Sequence, residues 1–132
     1  MIQVVGIGPG RREGRTIAAD DALRRAEGIV GYTTYVELVR DEFAEKRFVT
    51  TGMRGEKERC VQALLLSREG RRVALICSGD AQVYGMASLL LGMAEEGDEI
   101  EVVPGVTAAL SAAAVLGAAA IAFAATKKKK EN

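Results

Sequence analysis

The sequence predicts an α/β fold: a parallel sheet of about five strands with helices on both faces. Three observations carry that prediction. Short β-branched apolar runs alternate along the chain with stretches of helical period. The runs are continuously apolar, as in strands buried on both faces, and not alternating as in half-exposed ones. Three of them end in glycine-bearing turns, each leading into a helix: GPG at 8–10, SGD at 78–80 and PGVTA at 104–108.

Taken in order, Ile2 to Ile7 reads as a buried strand closed by the glycines of GIGPG. A helix follows from Thr16, a suitable N-cap, with Ala19, Ala22, Leu23 and Ala26 on one face and Gly28 as its stop. Ile29 and Val30 open a second strand, and GYTTYVELV continues as a helix of two turns. Arg47 to Thr50 is a third strand, after which Thr51-Gly52-Met53 turns the chain. The next helix spans Gly55 to Arg68, with Cys60, Ala63, Leu64 and Ser67 inward and Gly70 at the C′ position. Val73 to Ile76 is the fourth strand. Val83 to Ala94 is helical and apolar nearly all round, which predicts cover on two sides. Ile100 to Val103 is the fifth strand, and Thr107 to Leu116 a helix of Ala, Val and Leu stopped by Gly117.

The bulk properties narrow the function. At 132 residues and 48% hydrophobic, the chain suffices for one domain with a real core. Basic and acidic residues balance at 18 each, so no global field points to nucleic acid or to an anionic membrane. The absence of histidine excludes imidazole catalysis and histidine metal sites. Two cysteines, Cys60 and Cys77, form no disulfide framework and lack metal-ligand spacing; both read as core. The start, MIQVVGIGPG, has neither the basic region nor the cleavage site of a signal peptide. The apolar stretch at 102–125 is broken by Pro104, Gly105 and Gly117 and makes a poor membrane span. The expectation is a soluble cytoplasmic domain without nucleic-acid or membrane partners. Lys127 to Lys130, with no aromatic residues among them, read as a solvated tail.

In an open parallel sheet, ligands bind outside the carboxyl ends of the strands. The three glycine turns share that edge, where glycine permits close backbone approach and Asp80 and Thr107 offer polar groups. Glycine can equally serve the turn geometry alone, and the convergence of three such turns is what favours a site. The dinucleotide pattern fails, because Arg11 stands where a third glycine belongs and Pro9 lacks an N–H. No phosphate loop of the GxxxxGK[ST] type is present.

The segments VVGIGPG, SGDAQVYGMA and VVPGVTAA, in that order, resemble the tetrapyrrole methylases over residues 1 to about 117. Within that family, Val30-Gly31-Tyr32-Thr33-Thr34-Tyr35, Thr51-Gly52-Met53 with Glu56 and Arg59, and Val83-Tyr84-Gly85-Met86-Ala87 resemble the precorrin-3B C(17)-methyltransferase branch of cobalamin synthesis. The sirohaem-type branch would carry Asp at position 33 and Lys at position 53. The resemblance implies an S-adenosylmethionine-dependent methyltransferase acting on a precorrin, with S-adenosylhomocysteine as product. An apolar face that the family packs on a second domain or a dimer partner is expected to drive self-association or a homodimer. It implies that Pro9, Ser78, Gly79, Asp80, Val83, Thr107 and Ala108 contact the donor. It places Tyr32, Thr33 and Met53 at the start of the tetrapyrrole trough.

The pattern departs in places. The first loop reads Arg11-Arg12-Glu13-Gly14-Arg15-Thr16 where the family has an acidic residue and Leu-Thr, so only Thr16 matches. Cys77 replaces a more usual serine, and Gln82 a small residue. After Gly117 the family continues into a second α/β domain, whereas this sequence reads AAAIAFAATKKKKEN. The expected organisation is therefore a donor- and substrate-binding domain at 1–117 and an atypical Ala/Lys tail at 118–132, with little or no activity alone. The alternative is a non-catalytic α/β fragment or association module.

Overall fold

The computed structural model describes residues 1–79 and 81–106, with side chains for all of these but Ala81 and Gln82. Five strands, β1 (Ile2–Gly6), β2 (Gly28–Tyr32), β3 (Arg47–Thr51), β4 (Val73–Cys77) and β5 (Ile100–Val103), form one sheet in the order β3-β2-β4-β1-β5. Every pairing is parallel, with Ile2 opposite Val73 on one side and Ile100 on the other. Four helices connect them: α1 (Ile17–Arg25), α2 (Thr33–Val39), α3 (Glu56–Arg68) and α4 (Ala81–Met93). The expected fold class is the observed one. The expected helix at Thr107–Leu116 and the tail lie outside the described residues.

The continuous apolar runs are explained by their two-sided burial. Along β1, Val5 and Ile7 face a core built with Ala19, Ala22 and Leu23 of α1 and Val36 and Val39 of α2. Ile2 and Val4 face the opposite core, with Cys60, Ala63 and Leu64 of α3 and Met86, Ala87 and Leu90 of α4. The two α-helices that follow β1 and β2 thus cover one face, and those that follow β3 and β4 cover the other. This arrangement is what right-handed crossovers demand when the chain first winds one way from β1 and then returns past it.

Thr16 caps α1 as its position predicts: its hydroxyl oxygen accepts from the Ala19 amide at 3.0 Å. Other details depart from expectation. The helix ends at Arg25 with Ala26 as its cap, and Gly28 is the first residue of β2. Of the inner α3 face, Cys60, Ala63 and Leu64 are buried, while Ser67 is half-buried and accepts a hydrogen bond from the chain's amino terminus. The expectation that α4 is covered on two sides is corrected. Tyr84 and Leu91 are 58% and 59% exposed, and Gly85, Ser88 and Gly92 share that open surface. One side of the helix is packed on the sheet and α3, and the rest has no cover among the described residues.

Candidate functional site

β1 and β4 are neighbours whose following helices leave to opposite faces, so their carboxyl ends form the topological switch point of the sheet. The backbone there is tightly joined. The Ile7 amide donates to the Cys77 carbonyl at 2.9 Å, and the Gly79 amide to the Gly8 carbonyl at 3.0 Å. Gly8 and Gly79 form an antiparallel bridge, both in the left-handed region with φ of 67° and 59°. That conformation is open to glycine and strained for other residues.

The end of β5 joins from the other side. A Cβ on Gly105 would stand 2.5 Å from the Gly6 carbonyl oxygen and 2.8 Å from that of Gly79, closer than any real side chain packs. A Cβ on Gly6 would overlap the Gly79 carbonyl oxygen and stand 2.8 Å from the Gly105 nitrogen. The three glycine turns therefore converge, and three backbones meet at one point with two carbonyl oxygens beside the Gly105 Cα. The glycines serve one another's close approach.

The first of these turns does not run directly into a helix. A single 3-10 turn at Arg12–Gly14 intervenes before α1. It is held by Arg15, whose side chain is 1% exposed. Its guanidinium donates to Asp20 at 3.0 Å and to both oxygens of Glu42 at 3.1 and 2.9 Å. The hydrogen bonds from Arg15 hold the Glu42 carboxyl below its ordinary range. At Asp20 burial opposes the same trend, and hydrogen bonds from Arg24 and Arg15 overcome it. The third turn is tied to α1, because the Thr16 hydroxyl donates to the Pro104 carbonyl at 3.4 Å.

Of the residues expected at the donor, Pro9 is exposed, Ser78 half-buried and Gly79 buried, all at this junction. Val83 is fully buried, and its Cγ2 lies 2.9 Å from where a Gly6 Cβ would stand, so it supports the turn from below. Asp80, Thr107 and Ala108 lie outside the described residues. Burial pushes the Cys77 thiol up to about 12, so it remains protonated at neutral pH and is no nucleophile. Among the described residues no group of His, Cys, Asp and Glu is arranged to hold a metal ion.

The ends of β2 and β3 carry a second feature. Tyr32, Tyr35, Met53, Arg54, Glu56 and Arg59 line a cavity of about 250 Å³. Glu56 and Arg59 also border a neighbouring cavity of about 290 Å³ that runs toward Gly85, Met86 and Leu89 of α4. Tyr32 and Met53 both line the first cavity, with Met53 79% exposed at its rim. Thr33 does not line either cavity; its hydroxyl donates to the Thr51 carbonyl at 3.1 Å and ties the two strand ends together.

Sequence reasoning did not single out Arg59 as a site residue. It is buried, its Nη1 donates to Thr51 Oγ1 at 2.7 Å, and its guanidinium lies 5.8 Å from the centre of the Tyr32 ring. The available signal was its spacing, four residues before Ala63 on the inner face of α3, where a charge is out of place.

Comparison with known proteins agrees with this architecture. The family model described as Tetrapyrrole (Corrin/Porphyrin) Methylases matches residues 1–125. The chain is 46% identical over 121 residues to a probable cobalt-factor III C(17)-methyltransferase of Salmonella typhimurium, covering 89% of this chain and 50% of that protein. Among solved structures it superposes on the methyltransferase CobJ with a TM-score of 0.77 and 40% identity, covering 89% of this chain and 51% of the other. It also matches a Thermus thermophilus uroporphyrin-III C-methyl transferase complexed with S-adenyl homocysteine, with a TM-score of 0.62, 27% identity, and coverage of 84% and 47%. The chain spans about half the length of each of these relatives. Its fold, its motifs and the match over nearly its whole length lead to one conclusion: the chain belongs to the tetrapyrrole methylase family.

Proposed function

We propose that this chain forms the donor-binding and acceptor-entry half of an S-adenosylmethionine-dependent methyltransferase acting on a precorrin or cobalt-precorrin at C17. The observation that carries this reading is the three-backbone junction at the switch point. S-adenosylmethionine supplies an electrophilic methyl on a sulfonium. The glycines lock the three turns against one another, and the donor lies in the cleft that they border, where Pro9 is exposed and Ser78 half-buried. Pro9, Ser78 and Gly79 border the junction, and Asp80, Thr107 and Ala108 follow in the same turns. The chain's task is to hold donor and acceptor in line, which needs positioning and no nucleophilic side chain. The acceptor carbon forms the new bond to the methyl, and the electron pair of the broken bond stays on sulfur as S-adenosylhomocysteine.

Relatives twice as long point to a second domain completing the site, so methyl transfer by these residues alone is expected to be weak. The uncovered surface of α4, with Val61 and Leu65 of α3 exposed beside the same helical layer, supports self-association or a homodimer. No helix among the described residues is long and apolar enough to cross a membrane.

The test is calorimetric titration of the chain with S-adenosylhomocysteine, after its association state is fixed by light scattering. Micromolar binding supports the reading. A folded, cooperatively melting chain that takes up none of it overturns the donor assignment and leaves the alternative, a folded fragment without activity.

A further inference from the structure

Two arginines are buried among the described residues, and their surroundings differ. Arg15 is neutralised by two carboxylates within hydrogen-bond distance. Arg59 is held by neutral groups, Thr51 Oγ1 at 2.7 Å and the Gly52 carbonyl at 3.4 Å. Its one carboxylate, Glu56, stands off at 3.8 Å from Nη2 and is itself 54% exposed. A buried cation whose counter-charge is loosely paired and half-exposed is costly in free energy unless something else completes it.

Arg59 also stands where the two cavities meet, so both open onto its surroundings. Apolar groups flank it: the Tyr32 ring beside the guanidinium, Met53 in the open at one rim, Met86 and Leu89 at the other. Arg54 adds a second cation to the first cavity, from a backbone held at a φ of 65°, the sole left-handed non-glycine among the described residues. Strain of this kind persists where the surroundings enforce it. The combination is an apolar double trough with a buried guanidinium at its waist. It fits a flat ring system that carries carboxylates around its edge.

We propose that Arg59 is the anchor for a carboxylate of the acceptor, and that Glu56 is the resident carboxylate which the acceptor displaces. This rests on the reading of the acceptor as an acidic tetrapyrrole and adds the residue that recognises its charge. The planar guanidinium is fixed by Thr51 and by the Tyr32 ring, so its remaining N–H groups present a fork suited to bidentate contact. Glu56, four-tenths to half shielded and loosely paired, holds the charge until the ligand arrives and then moves to solvent.

The test uses uroporphyrin I, an octacarboxylate ring, titrated by fluorescence into the 132-residue chain and its Arg59→Gln, Arg59→Lys and Glu56→Gln variants. S-adenosylhomocysteine is titrated in parallel, and thermal melts establish that each variant is folded. Arg59→Gln should weaken uroporphyrin about tenfold or more, and Arg59→Lys by a smaller factor, since it keeps the charge but loses the fork. Glu56→Gln should tighten it by about threefold, because a competitor and a like charge are both removed. S-adenosylhomocysteine affinity should stay within twofold throughout. A cationic pyridinium porphyrin should lose nothing in Arg59→Gln. The proposal is overturned if folded Arg59→Lys and Arg59→Gln bind uroporphyrin like the parent, or if Glu56→Gln weakens it as Arg59→Gln does. It is also overturned if the parent binds S-adenosylhomocysteine but no uroporphyrin. Loss of S-adenosylhomocysteine binding by the parent, with uroporphyrin still bound through Arg59, would sink the donor reading and leave the anchor standing.

Discussion

The ends of β1, β4 and β5 and the ends of β2 and β3 lie on one edge of the same sheet, and they are built from different materials. The first group is backbone: three glycine turns so close that a methyl group on Gly6 or Gly105 has nowhere to go. The second is side chain: two tyrosines in an edge-to-face pair at 5.2 Å, an exposed methionine, two arginines and a glutamate around open volume. A backbone surface is fixed by the fold and varies little with residue identity. A side-chain surface can be changed one residue at a time. One edge can therefore hold a common donor at one end and discriminate among acceptors at the other.

That contrast is broken most severely by Gly105→Ala. Its Cβ would meet the backbone of Gly6 and Gly79, neither of which has a flexible end to move. We expect a loss of about 3 kcal/mol, on the order of 10 °C in the melting temperature. S-adenosylhomocysteine binding should be lost even where the variant is still folded. Equilibrium melts and calorimetry check both.

Arg15→Met comes next. It leaves Asp20 and Glu42 without their shared cation, and because both carboxylates are part-exposed the cost is discounted to about 2 kcal/mol. Both carboxylates sit below their ordinary values of 3.8 and 4.5 in the folded chain. The stabilisation from this pairing is present above those values and disappears as pH falls below them. The gap in stability between parent and variant should thus be full at pH 7 and narrow steadily below about pH 4.5. A gap that widens with acid would contradict the assignment.

On the side-chain half, Met53→Ala should leave stability within about 0.5 kcal/mol, since the residue is exposed, while uroporphyrin affinity falls several-fold. Arg54→Gly comes last on stability, although losing its cation from the cavity should also weaken uroporphyrin. Removing a side chain from the left-handed region relieves about 1 kcal/mol, and the greater freedom of glycine in the unfolded chain returns much of it, for a net gain near 0.5 kcal/mol.

Most of this fold is legible in the sequence. The three inner strands, β2, β4 and β1, are short and mostly apolar, and burial on both faces requires that pattern, while the edge strands β3 and β5 carry exposed polar residues among their apolar ones. Thr16 announces its helix because a hydroxyl at that position has one evident use. The site is legible by halves. The glycine junction can be read from turn composition, although its cause, the contact of three backbones, appears only once β1 is seen between β4 and β5. The trough cannot be read this way. Spacing marks Arg59 as an inward charge on α3, but its neighbours in space, Tyr32 and Thr51, come from strands 27 and 8 residues away in sequence. The open surface of α4 was hidden for a related reason: Leu91 and Tyr84 have the composition of a core, and composition does not say whether a partner is there.

The central claim is that backbone at one end of the edge recognises the donor, and that side chains at the other recognise the acceptor. The most direct measurement titrates S-adenosylhomocysteine into folded Gly105→Ala and Arg59→Lys chains side by side. The account predicts that the first binds none and that the second binds like the parent. Equal losses in both, or a loss confined to Arg59→Lys, would contradict it.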